Sequence, residues 1–315
     1  MKRYWIALIT LALVAATHAG AATQERITFV VDDQTLVGTL FKPDTAKPGA
    51  RLPAIIIDGP WTQVKEQIGY AYGPRLADHG FAVLTFDHRN YGESEGQPRQ
   101  FEDPSTKIAD LRGAVRFLQR TPGVDSARIY GLGVCYGASL IADAARSEPG
   151  FKGIATVAAW LHDRASLMAT YTPEGYALRV SRGREAQAKF KETGTVEYIP
   201  AYSNDTFAAM AGPFDYYSNP SRGVIPQWSP RFATMSFEGW LEHEAAGYAR
   251  EIKQPVLMIH SDGSALPDNV RRFHADLPNP GKKLHWTTGD HVDFYDHAEL
   301  IEPAVREIGA FFKSL

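Results

Sequence analysis

Six short, unbroken apolar runs constrain the fold more than any other feature of the chain. They are "PAIIID" (53–58), "FAVLTFD" (81–87), "ARIYGLG" (127–133), "GIATVAA" (153–159), "PVLMIH" (255–260) and "KLHWTT" (283–288). A strand with one wet face alternates apolar and polar residues, whereas an unbroken run suits a strand covered on both faces, as in a parallel sheet. Parallel strands need crossover connections, and helix-like segments fill the gaps. Ile108, Leu111, Val115 and Leu118 recur at helical spacing after a predicted N-cap at Ser105, and Pro122-Gly123 closes that segment. Ile301, Val305, Ile308 and Phe312 mark a final amphipathic helix. Before all of these, residues 25–42 alternate around Asp32-Asp33-Gln34, which predicts a β-hairpin. The expected architecture is α/β: a mostly parallel, doubly wound sheet with right-handed crossovers.

The alternation fails between 160 and 252, a stretch rich in Tyr, Phe, Gly and Pro that includes "TYTPEGYAL" and "AYSNDTFAAMAGPFDYYSNP". Because it lies between two sheet strands, it reads as an inserted, partly helical cap over the carboxyl edge of the sheet, where α/β folds bind ligands. The core is then 22–159 together with 253–315. Residues 1–21 read as a cleavable export signal. Lys2 and Arg3 precede the apolar run Tyr4 to Ala16, and Ala19-Gly20-Ala21 supplies small residues for cleavage near Ala22. The expected destination is a periplasm or the medium. A net charge of −3 with interspersed signs gives no basic stripe for nucleic acid and no patch for a membrane surface after cleavage. A small-molecule partner is expected.

Export makes the single cysteine informative. Exported chains use cysteines in pairs as disulfides, and one cysteine cannot pair within its own chain. Cys135 lies in "YGLGVCYGAS" (130–139), at the end of an apolar run and before the helix-like "ASLIADAARSE". Gly133-Val134-Cys135-Tyr136-Gly137 is a G-x-C-x-G nucleophile elbow with sulfur in place of a hydroxyl. A strand turning sharply into a helix needs neighbours without side chains. The helix N-terminus is expected to favour a thiolate, and the Tyr136 amide to face a developing oxyanion. The base is expected to be His291, in "TTGDHVDFYD" after the last strand; His260 and His285 fall inside strands, and His79 and His274 on helices. The acid should follow the penultimate strand in "MIHSDGSALPDN", where Asp262 is chosen. The position slightly later, where this fold usually carries the acid, is Ser264, and Asp268 and Asp163 are alternatives. Pro60 has no N–H, so the second oxyanion donor is assigned to the Trp61 amide.

The elbow, the late histidine loop and "FDHRNYGESEG" (86–96) together resemble the α/β-hydrolase superfamily. Asp87, Arg89, Gly92 and Ser94 match its D-x-R-x-x-G-x-S pattern, for which a structural bracing role is expected. The cysteine elbow and "HVDFYD" are similar to dienelactone-hydrolase-like proteins, and "GPWTQVKEQ" resembles the same broad group, which includes exported hydrolases and acyl-transferring enzymes. The resemblance implies an α/β-hydrolase fold and a Cys135-His291-Asp262 triad. It spans Glu25 to Leu315 apart from the cap, and the size of that cap argues against the lactone substrate of the dienelactone hydrolases.

These readings converge on an exported hydrolase of an ester, lactone or thioester, acting through an acyl-thioester on a largely apolar acyl substrate. An acyltransferase would use the same residues. A binding or redox protein carrying its thiol on this fold is a third possibility. No metal or organic cofactor is implied, since no Cys/His cluster has ligand spacing and no glycine loop cradles a phosphate.

Overall fold

The computed structural model describes residues 22–47 and 49–315; the expected export signal, 1–21, lies outside the described residues. Strands β1 (Thr23–Val31) and β2 (Gln34–Lys42) form the hairpin. Asp32 and Asp33 both take positive φ, 48° and 61°, which gives the two-residue turn a twist matching its strands. The chain continues through β3 (Leu52–Asp58), α1 (Ile68–Asp78), β4 (Ala82–Phe86) and α2 (Pro104–Arg120). The elbow follows, with β5 (Val124–Val134), α3 (Tyr136–Ser147) and β6 (Phe151–Val157).

The eight-stranded sheet runs β1-β2-β4-β3-β5-β6 and ends with β9 (Val256–Ser261) and β10 (Lys283–Thr287). Only the pairings of β2 with β1 and β4 are antiparallel. Ile55, Ile56 and Leu132 at the centre of the sheet are fully buried, which explains the unbroken runs. The fold is that of an α/β hydrolase. The start of α2 departs from expectation. Its N-cap is Asp103, which accepts from the Ser105 amide at 3.0 Å, with Pro104 pre-set at the first helical position. Ser105 sits inside the helix, and its hydroxyl donates to the same carboxylate at 2.8 Å.

Between β6 and β9 lie α4 (Arg164–Tyr171), α5 (Pro173–Thr193), the antiparallel pair β7 (Tyr198–Pro200) and β8 (Arg231–Ala233), and α6 (Ser236–Glu242). Helices α7 (Pro267–Asp276) and α8 (Ala298–Lys313) complete the molecule. Among the described residues no helix is long and apolar enough to cross a membrane.

Candidate active site

Cys135 is the hinge between β5 and α3, with φ 56° and ψ −123°. A non-glycine residue held there stores strain, and the neighbours fix it. The Cys135 amide donates to Val157 O at 3.1 Å, and its carbonyl accepts from the Trp160 amide at 2.9 Å. Both glycines of the elbow are sterically required. A Cβ on Gly133 would lie 2.4 Å from the Ala138 Cα, and one on Gly137 would lie 2.4 Å from the Asp58 carbonyl oxygen.

The loop after β10 brings His291 to this sulfur: Nε2 lies 3.3 Å from Sγ. On the other side of the ring, Nδ1 accepts from the Ala265 amide at 3.1 Å. An Nδ1 that accepts carries no proton, so the neutral ring holds its proton on Nε2, facing the sulfur. Burial, reinforced by nearby His260, pushes the His291 pKa down to about 3. The thiol departs from the thiolate expected at a helix N-terminus. Burial raises its pKa to about 12, against lowering by the Tyr295 hydroxyl and the Tyr136 amide. Desolvation outweighs the helix dipole, and the resting pair is thiol and neutral imidazole.

The structure does not bring Asp262 to His291. Its carboxylate is exposed and accepts from Arg271 at 2.6 Å. Asp268 also pairs with Arg271, at 3.2 Å, while Asp163 caps α4 through the Ser166 amide at 2.8 Å and pairs with Arg272. Ser264 is buried against Ser261, with hydroxyl oxygens 2.9 Å apart. The physical cause lies in the 262–266 loop. Gly263 packs so tightly that a Cβ would lie 2.6 Å from Gly289 O, and Leu266 turns through φ 55°. The loop therefore presents a backbone amide to the imidazole instead of a carboxylate.

The amides of Tyr136 and Trp61 donate to no other group among the described residues. The loop carrying Trp61 is fixed from behind: the Thr62 amide donates at 2.9 Å to buried Glu102, which pairs with buried Lys107. Asp87, at the head of the "DHRNYGES" segment, accepts from the Lys65 amide at 2.8 Å and from Lys65 Nζ at 2.9 Å. Arg89 joins Asp110 to Asp32, Ser94 takes the Val37 amide, and a Cβ on Gly92 would strike the Asp87 carboxylate. The segment braces the oxyanion loop and the hairpin.

Cys135 and His291 open into a cavity of about 240 Å³. Its walls carry three tryptophans (61, 160, 240), four tyrosines (136, 171, 217, 295) and Phe214, and no Asp, Glu, Lys or Arg. Trp61 stacks on Trp240 with centroids 4.2 Å apart. The segment from Met210 to Tyr217, between β6 and β9, contributes one wall, and Arg222 ties that segment to the histidine turn. The guanidinium donates to Val292 O at 3.0 Å, to Asp296 at 2.6 Å and to Asp293 at 3.1 Å, and also pairs with Asp215. Tyr295 and Tyr217, which line the cavity together with Cys135, escaped the sequence reading. Tyr295 stands four residues after His291 within one turn, a spacing that could have signalled it; Tyr217 lies in aperiodic cap sequence. Among the described residues no group of three or more His, Cys, Asp or Glu is arranged to hold a metal ion.

A sheet of this order with an elbow, an adjacent imidazole and two unpaired amides defines a hydrolase of the α/β class. Residues 32–293 match the family model of the X-Pro dipeptidyl-peptidases (S15 family), and the chain belongs to that family. The chain is similar to the uncharacterized Pseudomonas aeruginosa protein PA2218, with 29% identity covering 89% of this chain and 78% of that one. The crystal structure of PA2218 superposes with a TM-score of 0.81 at 28% identity, covering 93% and 94% of the two chains. A thiohydrolase of Aspergillus aculeatus, aneE, is 32% identical over 83% of this chain and 84% of its own. An acyltransferase of Aspergillus calidoustus, drtE, is 23% identical over 90% and 94%.

Proposed function

We propose that the chain is an exported hydrolase of neutral, largely apolar thioesters or esters, with Cys135 as nucleophile and His291 as its proton partner. One observation carries this reading: Nε2 lies 3.3 Å from Sγ at the floor of an uncharged aromatic cavity. The 32% identical relative named as a thiohydrolase supports the thioester side. The activity in the family's name does not transfer, because the charged amino terminus of a dipeptide would need a carboxylate and none lines the cavity.

The substrate carbonyl enters beside the Tyr136 and Trp61 amides; the ring proton moves from Nε2 to Nδ1 as the Ala265 amide turns away, and Cys135 attacks as its proton passes to the freed lone pair of Nε2. Sulfur–carbon bond formation moves the carbonyl π pair onto oxygen, where the two amides hold it. On collapse the leaving group departs with the proton, leaving an acyl-thioester. Water, deprotonated by His291, then releases the acid and restores the thiol. The Nδ1 bond to the Ala265 amide is incompatible with a doubly protonated ring. Proton uptake from the sulfur at Nε2 therefore requires that amide to turn away and the ring proton to sit on Nδ1, so the imidazolium exists only while substrate reacts.

Acyl transfer is the second reading. An apolar cap that excludes water favours an alcohol or amine acceptor, and the relative named as an acyltransferase supports it. The test is incubation of neutral aryl and alkyl thioesters with and without alcohol and amine acceptors, separating free acid from transfer product. Hydrolysis predicts free acid whatever acceptor is added. Cleavage restricted to oxygen esters of charged acids would overturn the proposal. Export is tested by the amino-terminal residue of the mature protein, expected near Ala22.

A further inference from the structure

We propose that His88 is a positioning residue for the oxyanion loop: held between Asp58 and Asp110 as an imidazolium, it fixes the turn that presents the Trp61 amide. The proposal rests on the reading of Cys135 as nucleophile with the Tyr136 and Trp61 amides as oxyanion donors, and it adds the group that sets one of them. His88 is buried, with Nε2 3.2 Å from Asp58 Oδ1 and Nδ1 3.3 Å from Asp110 Oδ2. Both carboxylates are buried as well. An ionised carboxylate only accepts, and a neutral imidazole donates from one nitrogen alone. The ring therefore serves both acids only when doubly protonated. Among the described residues Asp58 pairs with no other cation: its Oδ1 also takes the Gly59 amide at 2.9 Å, and its Oδ2 has no partner.

What the ring holds is the root of the oxyanion loop. Asp58 closes β3 opposite Gly133 of the elbow strand, and a Cβ on Gly137 would lie 2.4 Å from its carbonyl oxygen, so its backbone touches the elbow. Its side chain commits the Gly59 amide and Pro60 has none, which leaves Trp61 as the first residue of the loop with a free amide. At the far end the Thr62 amide is committed to Glu102, whose cation is Lys107. Each carboxylate that pins the loop has its own buried cation, and on the β3 side that cation is His88. With His88 uncharged, an unpaired carboxylate at the root of the loop opposes the negative charge that grows on the substrate oxygen. Facing His88 are Asp58 from β3, and Asp110 and Lys107 from α2. On its own segment Arg89 donates to Asp110 at 2.8 Å, Asp87 is taken by Lys65, and the Phe86 ring lies edge-on with centroids 4.8 Å apart. From α3, the Tyr136 hydroxyl is engaged by His243 Nδ1 at 2.9 Å. Burial works against the charge on His88, and the two carboxylates overcome it and raise the pKa, so the charge is present at neutral pH and lost as pH rises through the raised value.

The test compares the wild type with His88→Gln in three readouts: single-turnover acylation of Cys135 by a neutral aryl thioester, alkylation of Cys135 by iodoacetamide, and deuterium exchange of a peptide spanning 59–64. Alkylation uses the same sulfur and forms no oxyanion, so it is the internal control. Acylation is expected to slow by about 10–100-fold at saturating donor, with the half-saturating concentration within about twofold, as for an interaction made only in the transition state. Alkylation is expected to keep its wild-type rate, and exchange at 59–64 to rise. Equal losses in acylation and alkylation, or acylation at the wild-type rate, would overturn the proposal. Should His88→Gln fold poorly, the wild type decides. Its ratio of acylation to alkylation is expected to fall as pH rises through the raised value of His88, and a ratio that does not fall overturns the proposal equally. A wild type that forms no acyl adduct removes the thioester reading instead, and exchange at 59–64 then decides the positioning role alone: a rise in His88→Gln supports it, and unchanged exchange overturns it.

Discussion

At Cys135 two physical effects compete, and the magnitudes decide between them. A helix N-terminus contributes up to ~2 kcal/mol toward the anion, and burial, which raises the thiol to about 12, outweighs it. Cys135→Ser should consequently be inactive toward thioesters, because a buried hydroxyl beside an imidazole with no carboxylate behind it is harder still to ionise. His291→Ala should lower kcat by about 10²–10⁴-fold, the usual worth of a positioned proton-transfer group. Asp262→Asn should leave kcat/KM within about twofold, since the carboxylate faces solvent and Arg271; a loss comparable to that of His291→Ala would show that the loop rearranges to recruit it. The contrast between these residues shows where sequence reasoning reaches. Cys135 was legible because the two glycines flanking it exist for steric reasons, and His291 because the fold fixes its place in chain order. The acid was not legible: whether "SDGSAL" offers a carboxylate or an amide depends on the positive φ of Leu266 and on an arginine nine positions after Asp262.

Among the elements, the strands were readable because burial on both faces writes unbroken apolar runs, and the hairpin because a two-residue turn with positive φ tolerates Asp-Asp. The segment between β6 and β9 was readable only as a break in alternation. Its Met210–Tyr217 wall over the cavity is built from loops and one three-residue turn, Asp215–Tyr217, which carry no periodicity. What holds that wall is a long-range contact, Arg222 on the histidine turn. Arg222→Ala leaves Asp215, Asp293 and Asp296 facing one another without their cation. It should raise KM about tenfold while changing the chemical step less, as measured by single-turnover acylation at saturating donor. Arg222→Lys should recover little, because one ammonium cannot serve Val292 O and three carboxylates in fork geometry. At the elbow, Gly137→Ala would drive a methyl into the Asp58 carbonyl and separate α3 from β3, costing about 2–4 kcal/mol of stability and the oxyanion geometry together.

For the whole molecule, histidine burial sets how stability depends on pH. His162 and His291 are held neutral with pKa near 3, and His260 near 4, in each case chiefly by burial. An unfolded histidine takes up a proton below about 6.5. Between that pH and the folded values the unfolded chain binds more protons, and stability falls as pH falls. His88 opposes this trend: burial disfavours its charge, but Asp58 and Asp110 outweigh burial and raise its pKa, so its contribution is full at low pH and lost as pH rises through the raised value. His274 is lowered too, by burial and then by Lys282, so four groups against one predict a melting temperature that drops from pH 7 to pH 5, with His291→Asn removing part of the slope due to the lowered histidines. The catalytic reading is tested most directly by intact-mass spectrometry of the wild type quenched during turnover of a neutral aryl thioester, with peptide mapping of any adduct. The expected result is a single acyl mass on Cys135 that is absent from Cys135→Ala and persists longer in His291→Ala when formed there. Turnover by wild type and Cys135→Ala at equal rates, with no mass added to the thiol, would contradict it.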